Sequence, residues 1–146
     1  MKIIKFIVIW LVLVGSSVSC SKNDNINMLP NIDDLYAQPL PVIQKCVQGK
    51  WKWYISCGGV AGCQEINNTF VNIKEDHYVV DYEDGSQRTF YFSWKKYTPA
   101  DNEHETYVMW NEETNKAWWC FVSIKNDTLT AITFDVPFSF GFVRIK

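Results

Sequence analysis

The chain has 146 residues, 47% of them hydrophobic and 21% charged, with a formal net charge of −2 at pH 7. That length supplies one compact core and little beyond it. A slightly acidic balance without a basic run excludes electrostatic capture of nucleic acid or of anionic lipid.

In chain order, Met1, Lys2 and Lys5 precede an apolar run over 6–14 and the small-residue stretch "GSSVSC". A basic start, a short apolar middle and a small-residue end make residues 1–19 a secretory signal peptide. The run falls far short of the about 20 residues that a membrane-spanning helix needs. Ser17-Val18-Ser19-Cys20 resembles the lipobox of bacterial lipoproteins, with Ser17 where leucine is commonest. The resemblance implies that Cys20 becomes the lipidated first residue of the mature chain. Ser21 stands where an aspartate would signal inner-membrane retention, and "CSKNDN" resembles the Ser-Lys-acidic tags of surface lipoproteins. The location implied is the outer membrane of a Gram-negative bacterium, with lipid as the sole membrane contact; several acyl chains on one cysteine anchor stably. Residues 20–43 hold Pro30, Pro39 and Pro41 and no apolar period, and read as a lipidated N-terminus and flexible tether.

Residues 44–146 read as the single folded domain. "VIQKCVQG" predicts a short helical turn stopped by Gly49. Eight runs rich in Val, Ile, Thr and aromatic residues follow, at 50–56, 69–74, 77–82, 87–94, 106–111, 116–124, 128–134 and 139–146. "EDGS" carries Asp84-Gly85, a strong hairpin signal, and "NEETN" and "KND" are equally short. Consecutive strands are therefore expected to be antiparallel neighbours. The fold class is all-β: eight strands in an up-and-down barrel, which leaves no edge, or else a two-sheet sandwich.

The first run opens with Gly49-Lys50-Trp51, "GKW", which resembles the G-x-W motif of lipocalins; Arg144, in the last run, matches the basic residue that family lays across its tryptophan. The domain resembles the lipocalin-like domains of small bacterial surface lipoproteins. It departs from typical lipocalins in lacking a T-D-Y motif, with "KNDT" in the comparable turn, and no helix is predicted after the last run. The resemblance implies a barrel closed by Gly49, Trp51 and Arg144, with a small-ligand site at an open end bordered by loops 57–68 and 95–105.

With Cys20 lipidated, Cys46, Cys57, Cys63 and Cys120 remain. An even number in an exported chain reads as two disulfides, with three possible pairings. The glycines of "GGVAG" permit the tight reversal that joins Cys57 to Cys63. That leaves Cys46 and Cys120 as the second pair. A catalytic redox pair is usually C-x-x-C at a helix start, and a zinc site needs closer paired spacing; Cys-x5-Cys between strands fits neither. His77 flanks a turn, and His104 stands among Asp101, Glu103 and Glu105 in what reads as a solvated loop tip rather than a cation site. No nucleophile elbow, phosphate loop or H-E-x-x-H is present. The expectation is no metal, no cofactor and no enzymatic activity.

Aromatic side chains are the remaining signal, at 16% of the chain. Trp51, Trp53 and Ile55 share one face of their run and are expected to fill the barrel. In "AWWCFVSIK" both faces are apolar, Trp118 and Cys120 on one and Trp119 and Phe121 on the other. So many rings exceed the interior of a small barrel. Trp119 and Phe121 are therefore candidate binding rings, unless packing under the tether or the 95–105 loop takes up the surplus. The function expected is a monomeric, non-enzymatic lipoprotein whose barrel binds a small apolar or amphipathic molecule. The alternative is a protein- or glycan-binding surface module, inhibitory in kind, that uses the exposed rings.

Overall fold

A computed structural model describes residues 29–98 and 105–146. The predicted signal peptide, Cys20, and Asp101, Glu103 and His104 of the acidic loop lie outside the described residues. A 3₁₀ turn over Leu35–Ala37 and a helix α1 over Leu40–Val47 precede the sheet. Nine strands follow: β1 (Gly49–Cys57), β2 (Cys63–Ile73), β3 (His77–Asp81), β4 (Gln87–Tyr97), β5 (Thr106–Asn111), β6 (Lys116–Ala117), β7 (Cys120–Lys125), β8 (Thr128–Ile132) and β9 (Ser139–Arg144). They make one curled antiparallel sheet in the order β6-β5-β4-β3-β2-β1-β9-β8-β7. The first and last strands are neighbours, with Trp51 opposite Arg144.

Side-chain alternation puts one face of the sheet inside. Trp51, Val71, Tyr78, Phe92, Phe121 and Phe142 are all buried in a single apolar cluster. Turn chemistry sets the register between strands. Lys125 pairs with Thr128 across Asn126 and Asp127, whose φ values of 48° and 60° make the left-handed two-residue turn that matches strand twist.

Four expectations are corrected. The predicted strand 116–124 is divided. β6 pairs with β5 and β7 with β8, while Trp118 and Trp119 form a kink between them. Across the kink the Trp118 N–H donates to the Met109 carbonyl (2.8 Å) and the Met109 N–H to the Trp119 carbonyl (2.9 Å). The sheet's two outer strands are thus consecutive in the chain.

The second correction explains the first. Residues 29–43, predicted as tether, pack against the sheet. Ile32 exchanges two backbone hydrogen bonds with Ile124 of β7 (2.7 and 2.8 Å), and the Thr106 hydroxyl of β5 donates to the Tyr36 carbonyl (2.9 Å). Leu35 is fully buried there. The Leu29 N–H reaches the Asp127 carboxylate (3.1 Å), and Asp33 pairs with Lys125 (2.5 Å). This strap contacts both β5 and β7 where they separate. Pro39 and Pro41 do not mark coil; they sit at the N-terminus of α1, where a missing N–H costs nothing. The helix is two turns long and ends at Gln48, so Gly49 is the first residue of β1 rather than the helix stop.

Third, Cys46 and Cys120 are both buried but are not joined to each other. Cys46 belongs to the interior cluster. Cys120 points the other way, into a smaller outer cluster with Val108 and Ala117 under Tyr36 and Phe134. Its Sγ lies 3.7 Å from the Thr106 hydroxyl, and burial pushes its thiol pKa up.

Fourth, the segments predicted to share one rim leave the sheet at opposite ends. Strands alternate in direction, so the connections 58–62, 82–86, 112–115 and 133–138 gather at one end. The ends of β4 and β5 at Tyr97 and Thr106 lie at the other, with α1, the strap and the β7–β8 turn. Residues 63–68 belong to β2 rather than to a loop. One end is capped; the other is open.

Candidate functional site

The predicted closing motif assembles at the capped end. Trp51 is fully buried, and its indole N–H donates to the Val47 carbonyl at the end of α1 (2.7 Å). The Arg144 guanidinium lies 5.7 Å from the centre of the Trp51 ring, a cation–π distance. Gly49 has φ +129°, and a Cβ there would stand 3.6 Å from Arg144 Nη2. Helix, first strand and last strand are pinned at one point.

The predicted Cys57–Cys63 disulfide is present and joins directly opposed residues of β1 and β2. It closes the loop 58–62 at the open end. Gly58, φ +152°, lies so close to the β8–β9 loop that a Cβ would be 2.5 Å from Phe138 Cδ1 and 2.6 Å from the Pro137 carbonyl. Only glycine permits that approach. The disulfide loop therefore presses on Phe138.

Trp119 and Phe121 are not surface rings; each is only 1% exposed. They point inward with Phe142, and Trp118, their neighbour on the kink, carries the exposed indole at 37%. Trp119 instead forms the hub of the interior. Its ring lies 4.9 Å from Tyr78, 5.2 Å from Phe142 and 6.1 Å from Phe140. Trp53, half-buried, meets it edge-on at 6.2 Å. Burial pushes the Tyr78 phenol pKa well up, with Tyr82 adding to the rise and the Trp118 indole and Arg88 opposing it.

Directly outside this hub, at the open end, lies a groove of about 310 Å³. Trp118, Val136, Phe138 and Phe140 wall it, and Lys116 and Asp135 stand at its mouth. The two charged side chains are 3.7 Å apart and more than half exposed. The β8–β9 loop that supplies one wall is internally braced: the Thr133 hydroxyl and the Phe138 N–H both donate to the Val136 carbonyl (2.5 and 2.7 Å). Phe138 and Phe140 stack at 6.3 Å. The alternating rings of "VPFSFGF" are a sequence signal for this site, but Val136 falls between the runs 128–134 and 139–146 predicted as strands.

The remaining candidates stand apart. His77 pairs with Asp76 at 2.7 Å on the surface, and Glu105 pairs with Lys96 at 2.6 Å at the capped end. Among the described residues no three His, Cys, Asp or Glu side chains come together as a metal site. No described helix is long and apolar enough to cross a membrane.

No protein-family model matches the chain, and no curated protein matches it at a significant level. Among solved structures the chain is similar to a lipocalin-like protein from Bacteroides uniformis. The identity is 13% over 68% of this chain and 99% of that one, with a TM-score of 0.44.

Proposed function

We propose that this protein is a non-enzymatic binder of small, flat, largely apolar molecules, taken up at the open end of a lipocalin-like barrel. The observation that carries the reading is the groove of about 310 Å³ walled by Trp118, Phe138 and Phe140. Its size falls at the lower end of small-molecule sites. Aromatic walls favour a planar ligand that stacks. The curled sheet serves as the barrel, with the kinked β6–β7 segment joining its two outer strands. The interior is filled by side chains such as Trp51, Trp119 and Phe121, so the ligand site is the rim rather than the lumen.

Lipid anchoring through Cys20 in the outer membrane is part of the same proposal, and rests on the leader-like start of the chain. The nine residue steps from Cys20 to Leu29 span at most about 30 Å. Leu29 sits at the capped end beside Asp127, so an anchored protein would turn its groove away from the membrane.

The test is a fluorescence titration with 6-propionyl-2-(dimethylamino)naphthalene, a flat apolar dye. Saturable binding in the micromolar range is expected, weakened about tenfold or more in Trp118→Ala and in Phe138→Ala. Absence of saturable binding to the folded wild-type protein would reject the groove as a ligand site. For the anchor, Cys20→Ala should release the protein from the membrane fraction and abolish the mass added by acylation.

A further inference from the structure

Among the described residues, two buried side-chain nitrogens have no hydrogen-bond partner, Trp119 Nε1 and Arg144 Nη1. Arg144 has an evident occupation, because its charge faces the Trp51 ring. Trp119 has none. Its neighbours are rings: Trp53, Tyr78, Phe121, Phe140 and Phe142. An indole N–H donates only, and when buried it ordinarily finds an acceptor. An unmet donor in an apolar interior is costly, and a natural sequence could remove that cost with phenylalanine.

Its position suggests what the donor is for. Trp118 and Phe140 wall the groove, and Trp119 lies directly behind both, at ring distances of 6.4 and 6.1 Å. Both walls are more accessible than the core: Trp118 is 37% exposed and Phe140 only partly buried. Trp119 itself does not line the groove, so a ligand's acceptor reaches the indole only where Trp118 or Phe140 turns aside. We propose that Trp119 is the specificity-determining residue of the groove. Its N–H receives a hydrogen-bond acceptor, a ketone, ester or amide carbonyl, carried by the flat apolar ligand. The inference rests on the groove being a ligand site and narrows the ligand class from apolar rings to apolar rings bearing a buried carbonyl. Selectivity follows from chemistry: the carbonyl-free analogue leaves the donor unmet, and the carbonyl compound satisfies it.

The experiment compares two probes on the full protein, the propionyl dye and 6-propyl-2-(dimethylamino)naphthalene, which replaces the carbonyl by CH₂. Wild type should bind the ketone roughly tenfold more tightly, as expected for one buried hydrogen bond. In Trp119→Phe that ratio should fall to near one. The second readout does not depend on the variant folding. In protein labelled with ¹⁵N at the indoles, the Trp119 Nε1–H proton should move downfield with the ketone and stay with the propyl probe. If both probes bind equally and the indole proton responds alike to both, the inference is overturned and the groove reading survives. If neither probe binds, both fall together.

Discussion

Trp51 joins three parts of the molecule: the end of α1 through its N–H, the last strand through Arg144, and the interior through its ring. Trp51→Phe keeps most of the apolar volume but leaves the buried Val47 carbonyl without its donor. A loss of about 1–3 kcal/mol is expected from that unpaired group, read as a lower urea midpoint with unchanged slope. Tyr78 gives a different kind of test. Its folded-state pKa is raised by burial, above its unfolded value of about 10. A raised pKa contributes stability that is fully present below the unfolded value and is lost as pH rises toward the folded one. The protein should therefore lose stability above about pH 10, and Tyr78→Phe should flatten that part of the pH profile, measured by thermal melts from pH 8 to 12. The residue scale also shows where sequence patterning stops being informative. The G-x-W clasp was legible because motif and partner are single residues. The faces of "WWCF" were not, because every position is apolar and alternation then has no polar face to mark outside.

At the scale of elements, two devices brace the open and capped ends. The Cys57–Cys63 bridge holds loop 58–62 against Phe138. A paired Cys57→Ser, Cys63→Ser variant should lose about 2 kcal/mol, the chain-entropy value for so short a loop. It should also bind the naphthalene dye less tightly, because a groove wall loses its support; unchanged affinity would detach the disulfide from the site. Leu35 is the fully buried side chain of the strap ahead of α1, and Leu35→Ala should cost about 3 kcal/mol in the same denaturation assay. Strand positions and short turns were readable in advance, since "KND" and "EDGS" carry local turn chemistry. The strap was not, because its apolar residues, Leu29, Ile32 and Leu35, are sparse among prolines and aspartates. Their burial comes from a gap between β5 and β7 that only the folded sheet defines. The same gap hid the division of the sixth strand. Cys46–Cys120 failed for a related reason: an even cysteine count carries no information about which face of a sheet each sulfur occupies.

For the whole molecule, the consequence is an asymmetry between its ends. The capped end is tied by α1, the strap, the Trp51–Arg144 clasp and the Asp127 carboxylate, which takes the Leu29 N–H and stands 3.5 Å from the Lys146 amine. The open end has a disulfide loop with a fully exposed Val60, and an exposed Val136 in the β8–β9 loop. Local opening draws on regions with few buried apolar contacts, so the two ends should differ in hydrogen exchange. Amides of β1, β8 and β9 should exchange slowest, and those of 58–62 and 133–138 fastest among the described residues. A ligand in the groove stabilises only the conformations in which these loops are closed, by an amount that grows with its concentration over Kd. Saturating dye should therefore slow exchange in 133–138 and in the Trp118–Trp119 kink, and leave α1 and the strap unchanged. Slowing confined to the capped end would mean that the dye enters beside the strap, between β5 and β7, and that the rim groove is not its site.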